Sequence, residues 1–181
     1  MMPIGPLMIE HRLIERMIGV MRKELQRIEK DKHINNTFID TAVDFIRTYA
    51  DHCHHGKEED ILFRELKKKS ISDEHHRIME ELEHDHRRGR EITGKLADSN
   101  LSYSTGDENA IGVIIECIKD LVDFYPKHIE KEDKHFFIPV MDYFSKDEKD
   151  IMLQEGYDFN RKLIHEKYGT IVQQAESKIT D

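Results

Sequence analysis

The stretch HHGKEEDILF, residues 54–63, places two histidines four residues ahead of two glutamates, and an apolar pair follows. Residues four apart lie on the same face of an α-helix, so each histidine can face a glutamate one turn away. Side chains in this pattern belong either to a solvated helix face or to a metal site that points into a core. The helical period of the surrounding sequence distinguishes the two.

Apolar residues recur at spacings of three and four along the chain, which predicts long amphipathic helices. The first predicted helix, residues 7–28, has His11 within its apolar stripe. A third helix is predicted to begin after the N-cap residue Ser72, and its stripe carries His86. The turn-rich segment DSNLSYSTGDEN, residues 98–109, is predicted to be a loop.

The second predicted helix contains the opening stretch and spans residues 37–68. Its predicted core stripe is Phe38, Thr41, Phe45, Thr48, His52, His55, Glu59, Leu62 and Leu66. This stripe turns His55 and Glu59 toward the core. It turns His54 and Glu58 toward a flank, about 100° away around the helix.

The fourth predicted helix, residues 111–136, repeats the histidine–glutamate spacing of the second. His128 and Glu132 both lie in its apolar stripe. Pro126 lies inside this helix and is expected to kink it. Residues 145–148, Ser-Lys-Asp-Glu, have capping-box spacing, which predicts the start of a fifth helical segment.

Four long helices with short connections indicate an all-α protein, an antiparallel up-down four-helix bundle with an additional C-terminal helical segment. We expect one domain over residues 1–181, with the bundle at about 5–142 and the extension at about 145–176. Counted from the predicted loops, His11, His55 and His86 lie at one height. His128 fits less well, because it lies nineteen positions after Asn109, the end of the predicted loop, whereas His86 lies only twelve positions before Asp98, its start.

The composition restricts the class of function. The 181 residues include 37 acidic and 28 basic ones, a net charge of −9, which argues against nucleic-acid binding because that needs a basic footprint. The sequence shows no membrane-spanning run or signal peptide, so we expect a cytoplasmic protein without membrane association.

Cys53 and Cys117 lack metal-type spacing and are expected to be free thiols. The twelve histidines are unusually many, and histidine is the commonest metal ligand.

The polar residues of the four predicted stripes form one candidate metal site. They are His11, His55, Glu59, His86, His128 and Glu132. Leaving them unpaired in a core would cost several kcal/mol of desolvation, which metal ions remove. Shared between two ions, the set provides two histidines and one carboxylate each, a ratio typical of open non-haem iron sites. The alternative is a set of hydrogen-bonded structural histidines, but two His-x3-Glu pairs in register favour the metal site.

The remaining histidines are assigned to other places. His33 is predicted to lie in a loop, and five others on solvated faces. These five are His54, His75, His76, His84 and His165. His52 and His135 are predicted to lie at the edge of the site. His135 is the better candidate for an extra ligand, because it lies one turn from Glu132.

Four motifs in this order resemble the hemerythrin (HHE cation-binding) family: LMIEHRLI at residues 7–14, HHGKEEDILF at 54–63, HRRGR at 86–90 and HIEKEDKHFFIP at 128–139. The resemblance implies a four-helix bundle that holds two iron ions as an oxo- or hydroxo-bridged diiron centre. It also implies small diatomic ligands or peroxide as partners. The family pattern of a glutamate, two residues and an apolar pair selects Glu59 with His55, and Glu132 with His128.

One departure from the family pattern bears on function. Oxygen-carrying hemerythrins place two histidines one turn apart on the third helix, whereas Leu82 and Arg90 flank His86 here. We therefore expect redox or sensing chemistry in a stress response, in which oxygen is not held reversibly. Two other functions stay open: a carrier or store of oxygen or iron without turnover, and a helical interaction module with a structural metal. The sequence does not decide whether the protein is an enzyme.

Overall fold

The computed structural model describes residues 2–179, with side chains for residues 2–163 and for Lys167. This part of the chain forms five long helices. They are α1 (Ile4–Asp31), α2 (residues 36–66), α3 (Asp73–Ser104), α4 (residues 110–140) and α5 (Lys146–Ile179). Helices α1 to α4 form an antiparallel bundle and α5 packs on α2, so the predicted all-α bundle is confirmed. Among the described helices, none is long and apolar enough to cross a membrane.

Helices α2 and α4 each change their winding where polar residues enter the core. The segments of α2 are α-helix Asn36–Phe45, π-helix Ile46–His55, π-helix Glu58–Phe63 and α-helix Arg64–Leu66. The segments of α4 are α-helix Ala110–Lys131, π-helix Glu132–Phe136 and α-helix Phe137–Val140. A π-helical turn contains one more residue than an α-helical turn, and such turns are frequent at functional sites.

The helix starts follow the capping residues in the sequence. The side chains of Asn35 and Ser72 each accept a hydrogen bond from the backbone N–H three residues later, at the starts of α2 and α3. At the start of α5, the Ser145 hydroxyl accepts from the N–H of Glu148, and the Glu148 carboxylate accepts from the N–H of Ser145. This reciprocal pair is a capping box. The predicted starts of α3 and α5 are confirmed.

The bundle core has two apolar layers with a polar layer between them. One apolar layer includes Ile14 and Ile118, and the other includes Leu7 and Phe136. His11 lies on α1 between Leu7 and Ile14, and it is fully buried. Polar side chains at this height are therefore enclosed by apolar ones on both sides along the bundle axis.

Helix α3 is longer than the sequence predicted. The predicted loop at residues 98–109 is wrong in its first half, because α3 continues to Ser104. Asn100 is buried in this part of α3, and its amide group donates to the backbone oxygen of Asn36 and to the carboxylate of Asp40 on α2. The polar residues that indicated a loop are thus satisfied by contacts between two helices.

The longer α3 also corrects the predicted height of the fourth histidine. His86 lies 18 positions before Ser104, the end of α3, and His128 lies 18 positions after Ala110, the start of α4. Because both helices rise by about 1.5 Å per residue from the same loop, the two side chains lie at one height.

The core-facing side of α2 differs from the predicted one by about one residue. Phe38, Thr41, Phe45 and Thr48 of the predicted stripe are half-buried or exposed. The buried residues are Ile39, Ala42, Val43, Ile46 and Ala50. The small side chains of Ala42 and Ala50 face the core, while the rings of Phe38 and Phe45 pack at its margin. The prediction followed the larger side chains and is wrong by about 100° around the helix.

Pro126 lies inside α4 and lacks the N–H that would donate to the carbonyl of Val122 one turn earlier. The guanidinium of Arg22 on α1 donates to that carbonyl oxygen at 2.8 Å. A side chain of the neighbouring helix therefore replaces the missing backbone hydrogen bond.

Arg22→Met should lower the free energy of unfolding by about 1 kcal/mol, because the Val122 carbonyl loses its donor while the apolar stem is kept. Urea denaturation measures this change. Arg16→Met is the matched control, because Arg16 is exposed on the same helix; it should stay within about 0.5 kcal/mol of wild type. Equal stabilities of the two variants would contradict the role of Arg22.

Helix α5 crosses the outer face of α2 at the level of the polar layer. The ring of Phe159 packs on Gly56, and a Cβ atom at Gly56 would lie 2.8 Å from that ring. One turn of α5 earlier, both carboxylate oxygens of Glu155 accept hydrogen bonds from Arg64 at 2.8 Å. A side chain at position 56 would therefore require the Phe159 ring to move.

Candidate metal centre

Seven buried side chains meet in the polar layer and form two adjoining clusters. The three-histidine cluster consists of His55, His86 and His128. The two-histidine cluster consists of His11, His54, Glu58 and Glu132. Within each cluster, the candidate ligand atoms all lie within 4.8 Å of one another. None of the seven residues is more than 2% exposed.

The two glutamates connect the clusters. Glu132 Oε2 lies 3.2 Å from Nε2 of His11 in one cluster, and its Oε1 lies 3.2 Å from Nε2 of His128 in the other. The Glu58 oxygens likewise lie 3.2 Å from a histidine of the first cluster and 3.3 Å from one of the second. Each carboxylate therefore turns one oxygen to each cluster, as a carboxylate shared by two metal ions would.

The inward atoms of these seven side chains have no hydrogen-bond partner among the described residues. They are nine atoms: Nε2 of the five histidines and both carboxylate oxygens of Glu58 and Glu132. Where the Nε2 of His11, His54, His86 or His128 faces an oxygen of Glu58 or Glu132, the two atoms lie 3.2–3.7 Å apart but without hydrogen-bond geometry. Unpartnered polar atoms in a core are costly, and a bound cation removes that cost.

Each of the five histidines donates a hydrogen bond from Nδ1 to a carboxylate outside the clusters. The pairs are His11–Asp133 at 2.7 Å, His54–Glu10 at 3.0 Å, His55–Asp51 at 3.3 Å, His86–Glu59 at 2.7 Å and His128–Asp85 at 3.5 Å. An ionised carboxylate only accepts hydrogen bonds, so Nδ1 carries a hydrogen in every ring. In the neutral ring the lone pair then lies on the inward Nε2, which is the form that binds a metal ion.

Cations lie behind these five outer carboxylates. The ion pairs are Arg12–Asp133, Lys57–Glu10, Arg90–Asp51, Arg90–Glu59 and Lys131–Asp85. Burial raises the pKa of Glu10, Asp51, Glu59 and Asp85, but hydrogen bonds from the histidines and cations outweigh it and hold each pKa below its ordinary value. Because Arg90 contacts two of the carboxylates, one guanidinium orients two rings of the three-histidine cluster.

In the metal-free site, neighbouring charges outweigh the effect of burial on His11 and Glu132. Burial lowers the pKa of His11, but Asp133 and Glu132 outweigh it and raise the pKa from 6.5 to about 10. Burial and Glu58 raise the pKa of Glu132, but the surrounding histidines outweigh both and lower it from 4.5 to about 2. The site without metal is therefore a cluster of imidazolium and carboxylate charges, and a metal ion must displace protons to bind.

The pKa values of the other histidines depend on which charges they face. Burial lowers the pKa of His54 and of His86, but nearby carboxylates outweigh it and raise both. Burial and the neighbouring His86 lower the pKa of His55 well below its ordinary value. The rings of His55 and His86 stack with centroids 3.9 Å apart. His55 is therefore neutral at pH 7 and offers its Nε2 lone pair without losing a proton.

The structure brings five of the six predicted site residues together and leaves one outside. The five are His11, His55, His86, His128 and Glu132. The prediction that Glu59 faces the core is wrong, because its side chain is 30% exposed and accepts hydrogen bonds from His86 and Arg90. Glu58 is buried in its place. The prediction of a solvated face for His54 is also wrong, since that ring is buried in the two-histidine cluster.

The winding of α2 explains why the sequence missed His54 and Glu58. In a regular α-helix, His54 and His55 point about 100° apart, so the predicted orientation, which centred His55 on the core, turned His54 toward a flank. In the structure, α2 is oriented differently and wound as a π-helix here, and both rings are buried, each in a different cluster. The sequence does carry a signal for this register, because steps of four from Ala42 pass through Ile46 and Ala50 to His54 and Glu58.

The other histidines lie outside the two clusters as far as the structure describes them. His33, His76 and His84 are exposed, as predicted. His52 and His135 are exposed as well, so the prediction that they lie at the edge of the site is wrong for both side chains. His75 is half-buried, and its Nδ1 lies 2.8 Å from the hydroxyl of Tyr143. The side chain of His165 lies outside the described residues.

Residues 2–138 match the family model for the hemerythrin HHE cation binding domain. The chain belongs to the hemerythrin family. The matched part contains all seven clustered side chains, whereas α5 lies outside it. Comparisons with curated proteins and with solved structures gave no match. Membership of the hemerythrin family implies that the chain binds a cation, and iron in particular.

The donor atoms of this hemerythrin-like site suit iron better than structural zinc. With Glu58 and Glu132 shared, the three-histidine cluster offers three nitrogens and two oxygens, and the two-histidine cluster offers two of each. Structural zinc sites usually have four ligands and often use cysteine. Neither Cys53 nor Cys117 belongs to a cluster, and both thiols are free and buried. Imidazole and carboxylate donors, five at one cluster and four at the other, are compatible with iron.

Asp133→Asn should weaken metal binding by about 10- to 100-fold, because the amide lacks the charge that makes the His11 ring basic. Competition with a chromophoric chelator measures the affinity. Asp142→Asn is the control, since Asp142 is exposed beyond the π-helical turn of α4. An affinity unchanged by Asp133→Asn would indicate that His11 is not a ligand.

Proposed function

We propose that this hemerythrin-like protein holds two iron ions and uses them in redox or sensing chemistry with oxygen, nitric oxide or peroxide. The observation that carries the proposal is the set of nine buried, unpartnered nitrogen and oxygen atoms, contributed by seven residues of four helices. Bound iron would supply the electrons for the reduction of such molecules.

The side chains around the clusters support this role. Two apolar layers enclose the site, which keeps out bulk water and large substrates. With both glutamates shared, the protein provides nine donors, whereas two ions with six positions each would accept about twelve. About three positions are therefore left for water, hydroxide or an external ligand. Small diatomic molecules and peroxide fit so enclosed a site.

Reversible oxygen binding is a second candidate function, and His55 favours it. The expectation against a carrier depends on the missing second histidine of α3, where Leu82 and Arg90 flank His86. In the structure, His55 of α2 joins His86 and His128, so five histidines face the two carboxylates. The number of donors then no longer distinguishes this chain from oxygen-carrying hemerythrins.

Anaerobic loading with Fe(II) tests the proposal, and we expect two iron ions per chain. The loaded protein is then exposed separately to oxygen, peroxide and nitric oxide while its absorbance is recorded. Repeated consumption of a reactant supports redox chemistry, and a stable adduct supports sensing. Full recovery of the starting spectrum over cycles of oxygen and argon supports the carrier. A protein that takes up no iron, or does not respond to any of the three, overturns the proposal.

A further inference from the structure

Arg90 lies one turn of α3 after the candidate ligand His86 and contacts two of the outer carboxylates. Its Nε atom donates to Oδ1 of Asp51 at 2.7 Å, and its Nη2 atom donates to Oε1 of Glu59 at 2.9 Å. Asp51 Oδ1 also accepts from Nδ1 of His55 at 3.3 Å. Glu59 Oε1 also accepts from Nδ1 of His86 at 2.7 Å. One guanidinium therefore reaches two rings of the three-histidine cluster, each through a single oxygen atom.

The carboxylates behind the two-histidine cluster are arranged differently. There, each carboxylate accepts from its ring with one oxygen and from its cation with the other. These groups are His11, Asp133 and Arg12, and His54, Glu10 and Lys57. A cation that shares an oxygen with an imidazole N–H competes with that N–H directly, whereas a cation on the second oxygen acts from farther away. Arg90 therefore acts more directly on its two rings than the cations of the two-histidine cluster act on theirs.

The two rings that Arg90 reaches form a stacked pair. The centroids of His55 and His86 lie 3.9 Å apart, and the ring planes differ by 11°. The planar guanidinium offers its N–H groups in a fixed fork, so both acceptor carboxylates are held together against their mutual repulsion. Because each ring donates to one of these carboxylates, Arg90 fixes the direction in which two Nε2 atoms point.

The same contacts affect the electron density on the two rings. An imidazole that donates to a carboxylate is a stronger electron donor to its metal ion, which favours Fe(III) over Fe(II). Arg90 competes for the accepting oxygens and so weakens this effect at two ligands of one ion. Its positive charge acts in the same direction, because it disfavours the more highly charged Fe(III).

We propose that Arg90 is a positioning residue that raises the reduction potential of the iron held by the three-histidine cluster. It acts through Asp51 and Glu59 and does not bind the iron itself, because a guanidinium has no lone pair to offer a metal ion. The inference rests on the proposed function, since it concerns the iron centre. It deepens that function by naming the residue that sets how readily this iron gives up an electron to a bound reactant.

Arg90→Gln removes both the charge and the fork, and the midpoint potential of the iron-loaded protein is the readout. The ratio of Fe(III) to Fe(II) affinity at this ion should rise about tenfold, which lowers the potential by about 59 mV for a one-electron couple. Arg90→Lys keeps the charge but not the fork, and it should show about half of this shift. Arg87→Gln is the matched control, because it makes the same change of charge at an exposed position of α3. Its potential should equal that of the wild type.

The iron content of every sample is measured first, so that the two proposals are judged separately. Normal iron content with equal potentials in Arg90→Gln and Arg87→Gln overturns the role of Arg90 and leaves the proposed function standing. A wild-type potential in Arg90→Lys also overturns the positioning role, because the charge alone would then be sufficient. If no iron is taken up, the proposed function fails. The Nδ1–H signals of His55 and His86 in NMR spectra of the metal-free protein then decide the role of Arg90, which is overturned if Arg90→Gln leaves both signals unchanged.

Discussion

Glu58→Ala should bind fewer than two iron ions per chain, whereas Glu59→Ala should keep both and lose only about 10- to 100-fold in affinity. The reason is the different place of the two neighbouring carboxylates. Glu58 is fully buried, and its oxygens lie 3.2 and 3.3 Å from Nε2 atoms of the two clusters. Glu59 instead accepts a hydrogen bond from the outer nitrogen of His86. Its loss alters the orientation of a ligand but removes none.

The matched histidine variants extend this comparison. His54→Ala should lose iron, because His54 contributes an unpartnered Nε2 atom to the two-histidine cluster. His84→Ala should not, because His84 is exposed on α3. Iron per chain, measured on purified and anaerobically loaded variants, provides the ranking. Loss of iron in Glu59→Ala together with full loading of Glu58→Ala would mean that α2 is rotated by one residue from the structure described above.

Removal of the metal should lower the melting temperature by roughly 10 °C. A ligand that binds only the folded state at 1,000 times its dissociation constant stabilises that state by about 4 kcal/mol. Each kcal/mol shifts the melting temperature of a domain of this size by roughly 2–4 °C. Calorimetry of the loaded and chelator-treated protein measures the difference. A metal-free protein that melts at the same temperature would contradict a metal site buried between the helices.

The affinity for metal should rise with pH, because His11 has to release a proton before its Nε2 can bind. With the pKa of His11 raised to about 10, each displaced proton increases affinity about tenfold per pH unit below that value. Displacement of one proton therefore gives about a 100-fold increase between pH 6 and pH 8. Chelator competition at both pH values measures it. Equal affinities would show that no proton is displaced.

The free energy of unfolding of the metal-free protein should instead fall as the pH rises above 6.5. A pKa of His11 that is higher in the folded than in the unfolded chain stabilises the fold fully below pH 6.5, and this contribution is lost as the pH rises through about 10. Glu132, with its lowered pKa, stabilises the fold above pH 4.5 and loses this effect as the pH falls through about 2. The difference in melting temperature between the iron-loaded and the metal-free protein should therefore increase from pH 6.5 toward pH 10. Calorimetry repeated at several pH values measures it.

The buried faces of helices α1 and α3 could be predicted from the sequence, although the end of α3 could not. In α1, the predicted stripe that contains Leu7, His11 and Ile14 is buried throughout. In α3, Ser72 caps the start and His86 lies in a buried stripe, both as predicted. In each helix only one face carries large apolar side chains at the helical period, so one orientation buries far more apolar surface than any other.

Helix α2 could be predicted as a helix, but its orientation could not. Two stripes compete along it, one with the rings of Phe38 and Phe45 and one with the smaller Ile39 and Ala42. The apolar surface of the two stripes does not determine which of them faces the core. The orientation of α2 depends on which side chains fit the space left by α1 and α3. The small residues fit the interior, and the two rings pack at the margin.

The sequence by itself determined the helical bundle, the height of the polar layer and four of its five histidines, because these follow from period and chain length. Only the tertiary structure decided between Glu58 and Glu59 and brought in His54. The two carboxylates are chemically alike, and the two orientations of α2 that would bury one or the other differ by only about 100°. The orientation and the π-helical winding that the structure shows bury both His54 and His55 together with Glu58. Packing of the whole bundle determines such a distortion, which the residues of one helix do not specify alone.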